Sequence, residues 1–121
     1  MNRAMRLPLT LFTLSATFAC VSDRSAPTAP GGAELCAAPV AGVIPIRGFA
    51  FGSGELRVRA GTRVTWVNCD PESHTATSDD AGWDSGLLAP HAVYTRTFER
   101  VGRFAYRCTP HPFMRGVVVV E

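Results

Sequence analysis

The sequence predicts an all-β protein, a small β-sandwich built from short strands. Polar and apolar residues alternate in "ELRVRAGTRVTWVN" and again in "AVYTRTFERVGRFAYRC", and turn-forming residues separate such stretches. A period of two is typical of strands with one buried face. No stretch carries an apolar repeat long enough for a helix of three turns. Roughly 80 residues of this kind favour a small antiparallel sandwich.

Residues 1–19 have the layout of a secretory signal peptide. Arg3 and Arg6 precede the uncharged run "LPLTLFTLSATFA", which is too short for a spanning helix. We therefore predict an exported protein of the periplasm or cell envelope. Cys20 follows at the end of the run, where a bacterial lipoprotein carries its lipid-modified cysteine. Lipid anchoring at Cys20 is one prediction, and ordinary signal cleavage nearby is the alternative.

The charge balance after this segment excludes some classes of function. Ten Arg face ten Asp and Glu once Arg3 and Arg6 are set aside. A neutral chain is a poor candidate for binding nucleic acid, so no nucleic-acid partner is predicted. Every basic residue is Arg, which excludes a lysine nucleophile or a lysine Schiff base.

The remaining chain divides into a tether and one domain. Residues 20–40 are rich in Ala, Pro, Gly and Ser and predict a flexible tether. Residues 41–121 form the predicted domain, which opens with "GVIPIRGFAF". A turn at Ala60 and Gly61 separates the next two strands.

The second half of the domain begins with a long irregular stretch. Residues 69–91 show neither period, which predicts a loop with one short strand around Trp83. Beyond it, Tyr106 and Cys108 share the inward face of a strand. The final "GVVVVE" is apolar on both faces, as a central strand would be.

The segment "CTPHPFMRG" predicts a metal site. Cys108, His111 and Met114 follow one another at intervals of three residues, and Pro110 and Pro112 tighten the loop between them. A thiolate with an imidazole suits zinc or copper, whereas a thioether favours copper. One further imidazole would complete the His2Cys plus axial Met set of blue-copper electron-transfer sites.

The missing imidazole must come from His74 or His91. His74 lies in the irregular loop after a buried strand, and we favour it as the ligand. His91 follows Pro90 at the start of a strand and is expected at the surface. Chance core packing and a zinc site are the alternatives at this point.

These residues also carry a resemblance to a known family. The segment "GRFAYRCTPHPFMRGVVVVE" resembles the C-terminal end of the amicyanins, and "RVTWVN", "SHT" and "GWDSGLL" resemble plastocyanin-like copper proteins. The resemblance covers about residues 42–121 and implies a cupredoxin, a Greek-key β-sandwich of about seven to eight strands. Such proteins hold one type 1 copper ion and carry single electrons between redox partners. By motif, His74, Cys108, His111 and Met114 would be the ligands.

The same resemblance sets the expected function and its alternative. Four protein ligands leave no open position for a substrate, so we predict an electron carrier and no enzyme. The expected partners are a donor and an acceptor redox protein that dock transiently on a monomer. A copper-binding module for metal delivery or storage is the alternative. Cys69 and the loop that follows His74 differ from the amicyanins, so the amicyanin partner is not assumed.

Several neighbouring residues are assigned supporting roles. Asn68 is predicted to clamp the two ligand loops, the alternative being a simple turn residue. Pro110 has no N–H to offer the Cys108 sulfur. Pro110, Pro112 and Phe113 are predicted to form an apolar docking patch around the edge of His111.

The remaining cysteines and the acidic residues complete the predictions. If Cys108 binds copper and Cys20 is lipidated or removed, Cys36 and Cys69 remain as a disulfide pair, the alternative being two free thiols. Asp70 belongs to a group of acidic residues near His74 that would steer a basic partner or form a solvated acidic loop.

Overall fold

The computed structural model describes residues 30–121 and confirms the all-β prediction. The predicted signal peptide, Cys20 and the tether up to residue 29 lie outside the described residues. Residues 30–121 form one helix and seven strands: α1 Gly32–Ala37, β1 Val43–Ile46, β2 Glu55–Val58, β3 Thr62–Asn68, β4 Thr77–Ser78, β5 Val93–Phe98, β6 Gly102–Arg107 and β7 Arg115–Val120. No helix among residues 30–121 is long and apolar enough to cross a bilayer.

The strands form two sheets, one with the order β1-β3-β5 and one with the order β2-β7-β6-β4. As predicted, β7 is central, with β2 and β6 as neighbours. The predicted antiparallel pairing is found for β3 with β5 and for β6 with β4 and β7, but it is wrong for two pairs, because β1 pairs with β3 and β2 pairs with β7 in parallel. An alternating pattern fixes which face of a strand is buried but not the direction of its partner.

The turn at Ala60 and Gly61 connects the two sheets. It joins β2 of one sheet to β3 of the other, so these consecutive strands are not paired. Gly61 has a φ of 86°, in the left-handed region that glycine adopts without steric cost.

Helix α1 is a further difference, because it lies within the predicted tether. The Glu34 carboxylate accepts a hydrogen bond from the Gly31 N–H at 3.0 Å, and the Arg47 guanidinium donates to the Cys36 carbonyl at 2.7 Å. Leu35 is buried. Six residues are too few to stand alone, so the helix depends on the Arg47 hydrogen bond and on the burial of Leu35.

Aromatic residues fill the core between the sheets. Trp66 and Tyr106 are fully buried, and Trp83 packs against both with ring centroids 5.1 and 5.7 Å away. The predicted short strand lies at Thr77–Ser78 rather than around Trp83, which instead packs into the core. The inward face of β6 continues directly into Cys108, which places the thiol at one end of this core.

Candidate metal centre

Cys108, His111 and Met114 are brought together by a hairpin loop. Strands β6 and β7 pair up to Arg107 and Arg115, so residues 108–114 close the hairpin. The Cys108 N–H donates to the Met114 carbonyl at 3.1 Å, and the Met114 N–H donates to the His111 carbonyl at 2.9 Å. Cys108 and Met114 are buried, whereas His111 is half-buried.

His74 reaches the same point from a separate loop. Its N–H and carbonyl exchange hydrogen bonds with Leu88, at 3.2 and 2.7 Å, in an isolated β-bridge. The His74 ring is fully buried. His91, by contrast, is exposed, in agreement with its expected surface position.

Three ligand atoms converge. The His74 and His111 Nδ1 atoms are 3.2 Å apart, and the Cys108 Sγ lies 3.8 and 3.6 Å from them. Nitrogen and sulfur ligands that share one ion at about 2.0 to 2.3 Å are separated by roughly this much. The donor set therefore fits a single metal ion, and a buried thioether follows in the same loop at Met114.

Comparison with known proteins decides which metal. The family described as copper binding proteins, plastocyanin/azurin family, matches residues 39–121. The chain belongs to this family. It is 35% identical over 102 residues to the amicyanin of Paracoccus denitrificans, covering 78% of each chain. It is 35% identical over 86 residues to the halocyanin of Natronomonas pharaonis, covering 61% of this chain and 50% of that one.

Solved structures give the same family assignment. A copper(I) form of an amicyanin variant superimposes with a TM-score of 0.64 at 35% identity, over 75% of this chain and 90% of that one. The cupredoxin fold and the predicted copper ion are thus confirmed. Copper is the metal that a thiolate, two imidazoles and a thioether favour.

Asp70 fixes the orientation of His74 in this cupredoxin. Its Oδ2 atom lies 2.9 Å from the His74 Nε2 atom, which therefore carries the proton and leaves Nδ1 free to bind metal. Burial by itself raises the pKa of Asp70, but hydrogen bonds from the Phe49 and Gly48 N–H groups and from His74 hold that pKa below its ordinary value. Asp70 is thus a buried acceptor and not part of a solvated acidic loop.

Threonines join the two ligand loops. The Thr75 N–H donates to the Cys108 Sγ at 3.3 Å, and the Thr109 N–H donates to the Thr75 hydroxyl at 2.8 Å. The hydroxyl of Thr77 lies 2.8 Å from that of Thr75 and 3.1 Å from that of Thr109. This network bridges the loops at the thiolate.

Asn68 has a different role from the predicted clamp between the two ligand loops. Its buried amide donates to the Glu72 and Leu88 carbonyls at 2.6 and 2.8 Å and accepts from the Asp70 N–H at 2.9 Å. Asn68 therefore shapes the loop that carries His74, while Thr75 makes the link to the Cys108 loop. The fully satisfied amide explains why it can be buried.

The predicted docking residues lie next to the half-buried His111 in the same loop. Pro110, Pro112 and Phe113 are exposed, and the Phe113 ring centroid lies 6.2 Å from that of His111. Within residues 30–121, the Thr75 N–H is the hydrogen-bond donor at the Cys108 sulfur, and Pro110 adds none.

Cys36 and Cys69 meet beside the site. Their sulfurs are 1.98 Å apart and their Cα atoms 5.7 Å apart, the geometry of a disulfide. The bond joins helix α1 to the residue before Asp70. Cys108 is free and buried, as a metal ligand requires.

The sequence predicted Asp70 as part of an acidic group but not its role behind His74, and it did not identify Thr75 or Phe49. The Asp70 to His74 spacing of four residues was a usable signal, because a tight loop brings such positions together. Thr75 directly follows the ligand His74, so its position in the sequence could have identified it. Phe49 could not be found, since it approaches from a turn more than 20 residues earlier in the chain.

Proposed function

We propose that this protein is an exported one-electron carrier that receives an electron from a donor redox protein and passes it to an acceptor. The observation that carries the proposal is the convergence of three ligand atoms, all within 4.8 Å of one another, in a largely buried site. Copper bound there supplies the exchange between its +1 and +2 states. His74, Cys108, His111 and Met114 are the proposed ligands.

Rigidity of the ligand loops favours this role. The Cys108 loop is closed by its own backbone hydrogen bonds, and the threonine network ties it to the His74 loop. Two oxidation states that share one geometry exchange electrons with little rearrangement. A site whose ligands are held in this way offers no free position for a substrate, so we expect no enzymatic turnover.

Spectroscopy tests the proposal directly. The copper-loaded protein is expected to show an intense visible charge-transfer band, a type 1 EPR signal and reversible redox cycling. Cys108→Ser should abolish the band, whereas Thr97→Ser, on β5 away from the site, should leave it unchanged. Colourless binding of copper(I) with rapid release to a chelator would instead support metal delivery or storage.

The docking patch has its own test. We propose that partners approach over Pro110, Pro112 and Phe113, because these residues expose apolar surface beside His111. Electron self-exchange between oxidised and reduced copies requires no identified partner. Phe113→Ala is expected to slow it, while Val101→Ala, at the opposite end of the sandwich and equally exposed at 71%, should not. Equal rates in the two variants would contradict the patch.

We also propose, from the sequence, that the protein is exported and anchored by a lipid on Cys20. The signal-like segment and the Cys36–Cys69 pair both favour an oxidising compartment. Mass spectrometry of the mature N-terminus would distinguish a lipid on Cys20 from ordinary cleavage. We expect the protein to be a monomer.

A further inference from the structure

The partly exposed ring of Phe49 packs against both histidines of the metal centre. Its centroid lies 5.2 Å from that of His74 and 5.0 Å from that of His111, and the ring planes are nearly perpendicular to it, at 89° and 83°. Phe113, the other nearby phenyl ring, reaches only His111. Phe49 is therefore the aromatic residue that spans the gap between the two ligand loops.

The backbone of Phe49 is unusual. Its φ of 57° lies in the left-handed region, which a bulky residue rarely adopts. The turn that contains it is closed by two hydrogen bonds between Arg47 and Ala50, at 2.9 and 3.2 Å. Such a conformation persists only where its surroundings enforce it, and it is found preferentially at functional sites.

The Asp70 carboxylate enforces it. One oxygen accepts from the Gly48 N–H at 2.6 Å, and the other accepts from the Phe49 N–H at 2.9 Å. The second oxygen also binds the His74 Nε2 atom at 2.9 Å. A single buried carboxylate thus holds both a ligand imidazole and the ring that covers it.

We propose that Phe49 is a cover that closes the metal centre to water and small anions between the two imidazoles. The inference rests on the proposed function, because an outer-sphere carrier must keep added ligands away from its metal. An apolar ring at this position offers no hydrogen bond to an entering water. It also lowers the polarity around the centre, and the apolar shell of a metal site controls both solvent access and redox potential.

The direction of the effect on the potential follows from charge. The site loses one positive charge on reduction, and an apolar surrounding favours the less charged state. Removing the ring should therefore lower the reduction potential.

Three substitutions at Phe49 test the cover, with Phe113→Ala as the matched control. Phe49→Ala removes the ring. Phe49→Asn also removes the apolar cover but uses a residue that tolerates the left-handed backbone, so it separates the ring from the strained conformation. Phe49→Leu retains an apolar cover.

Two measurements report how well Phe49 closes the metal centre to small molecules. In the copper(II) protein, azide affinity is expected to rise about tenfold or more in the Ala and Asn variants, the equivalent of about 1.4 kcal/mol. In the metal-free protein, alkylation of Cys108 by iodoacetamide, followed on its own peptide by mass spectrometry, should accelerate by a similar factor. Phe49→Leu and Phe113→Ala should remain close to the wild type in both measurements.

Unchanged azide affinity and unchanged Cys108 alkylation in the Ala and Asn variants would overturn the proposal, even if the potential moved. An equal increase in Phe113→Ala would also overturn it, by showing that general exposure of the patch is responsible. The alkylation measurement uses no metal, so it stands even if the wild-type spectrum contradicts the proposed function.

Discussion

Asp70 and His74 form a buried pair in which the carboxylate Oδ2 lies 2.9 Å from the imidazole Nε2. The pair orients the one ligand that comes from outside the C-terminal hairpin. A carboxylate behind a ligating histidine increases the basicity of the nitrogen that faces the metal. The strength of copper binding should therefore depend on a residue that does not touch the ion.

Asp70→Asn is expected to weaken copper(II) binding about 10- to 100-fold, because it removes the charge and replaces one of the two accepting oxygens with an NH2 group. Competition with a chelator of known affinity measures this. Glu72→Gln is the control, since that side chain is exposed on the same loop. Equal affinity in both variants and the wild type would contradict the role of Asp70.

Pro110→Ala is expected to raise the reduction potential. The Cys108 sulfur has one N–H donor within the described residues, from Thr75, and the substitution supplies a second N–H nearby. A further hydrogen bond withdraws electron density from the thiolate and favours the reduced state. One net hydrogen bond corresponds to roughly 20 to 65 mV in a one-electron couple. Voltammetry measures the change, and an unaltered potential with intact blue colour would count against it.

Loss of the bond between Cys36 and Cys69 is expected to destabilise the fold without removing the copper site. The two residues are 33 positions apart, and a crosslink closing a loop of this length contributes about 3 to 4 kcal/mol. The Cys36→Ser, Cys69→Ser double variant should lose that much free energy of unfolding in urea. Its visible spectrum should stay close to that of the wild type. Native stability in the double variant would show that the two thiols are free in the exported protein.

Because the phenol of Tyr106 is buried, we expect the protein to lose stability at alkaline pH. Burial raises the pKa of its phenol from 10.0 to about 12, so the folded state holds the proton that the unfolded state releases. The contribution is fully present below about pH 10 and is lost as the pH rises toward 12, by about 2 to 3 kcal/mol in all. Urea unfolding of the metal-free protein across this range measures the loss.

Tyr106→Phe should flatten that pH dependence. Its hydroxyl makes no hydrogen bond of ordinary geometry among residues 30–121, so the substitution breaks none there. Tyr94→Phe, at a half-buried position, is the matched control and should retain the wild-type profile. An unchanged slope in Tyr106→Phe would mean that another group titrates.

The sequence predicted best those features that depend on neighbouring residues. Cys108, His111 and Met114 lie within seven residues, so their chemistry and spacing could be interpreted together. The two faces of β6 were predictable for the same reason, because alternation is local. Parallel pairing of β1 with β3 was not, since a strand carries no mark of its partner's direction.

Features that depend on distant loops needed the structure. Phe49 reaches the site from a turn that Asp70 helps to hold, and no local pattern links the two residues. Helix α1 was missed because its stability comes from the Cys36 linkage and the burial of Leu35 rather than from a helical repeat.

Helix α1 also determines where the preceding chain joins the domain. Cys36 is bonded to Cys69, and Gly32 packs closely against the His91 carbonyl, so the polypeptide enters beside the loops that hold the metal centre. If the proposed lipid is attached at Cys20, the metal-binding end of the sandwich would lie closer to the membrane than the opposite end.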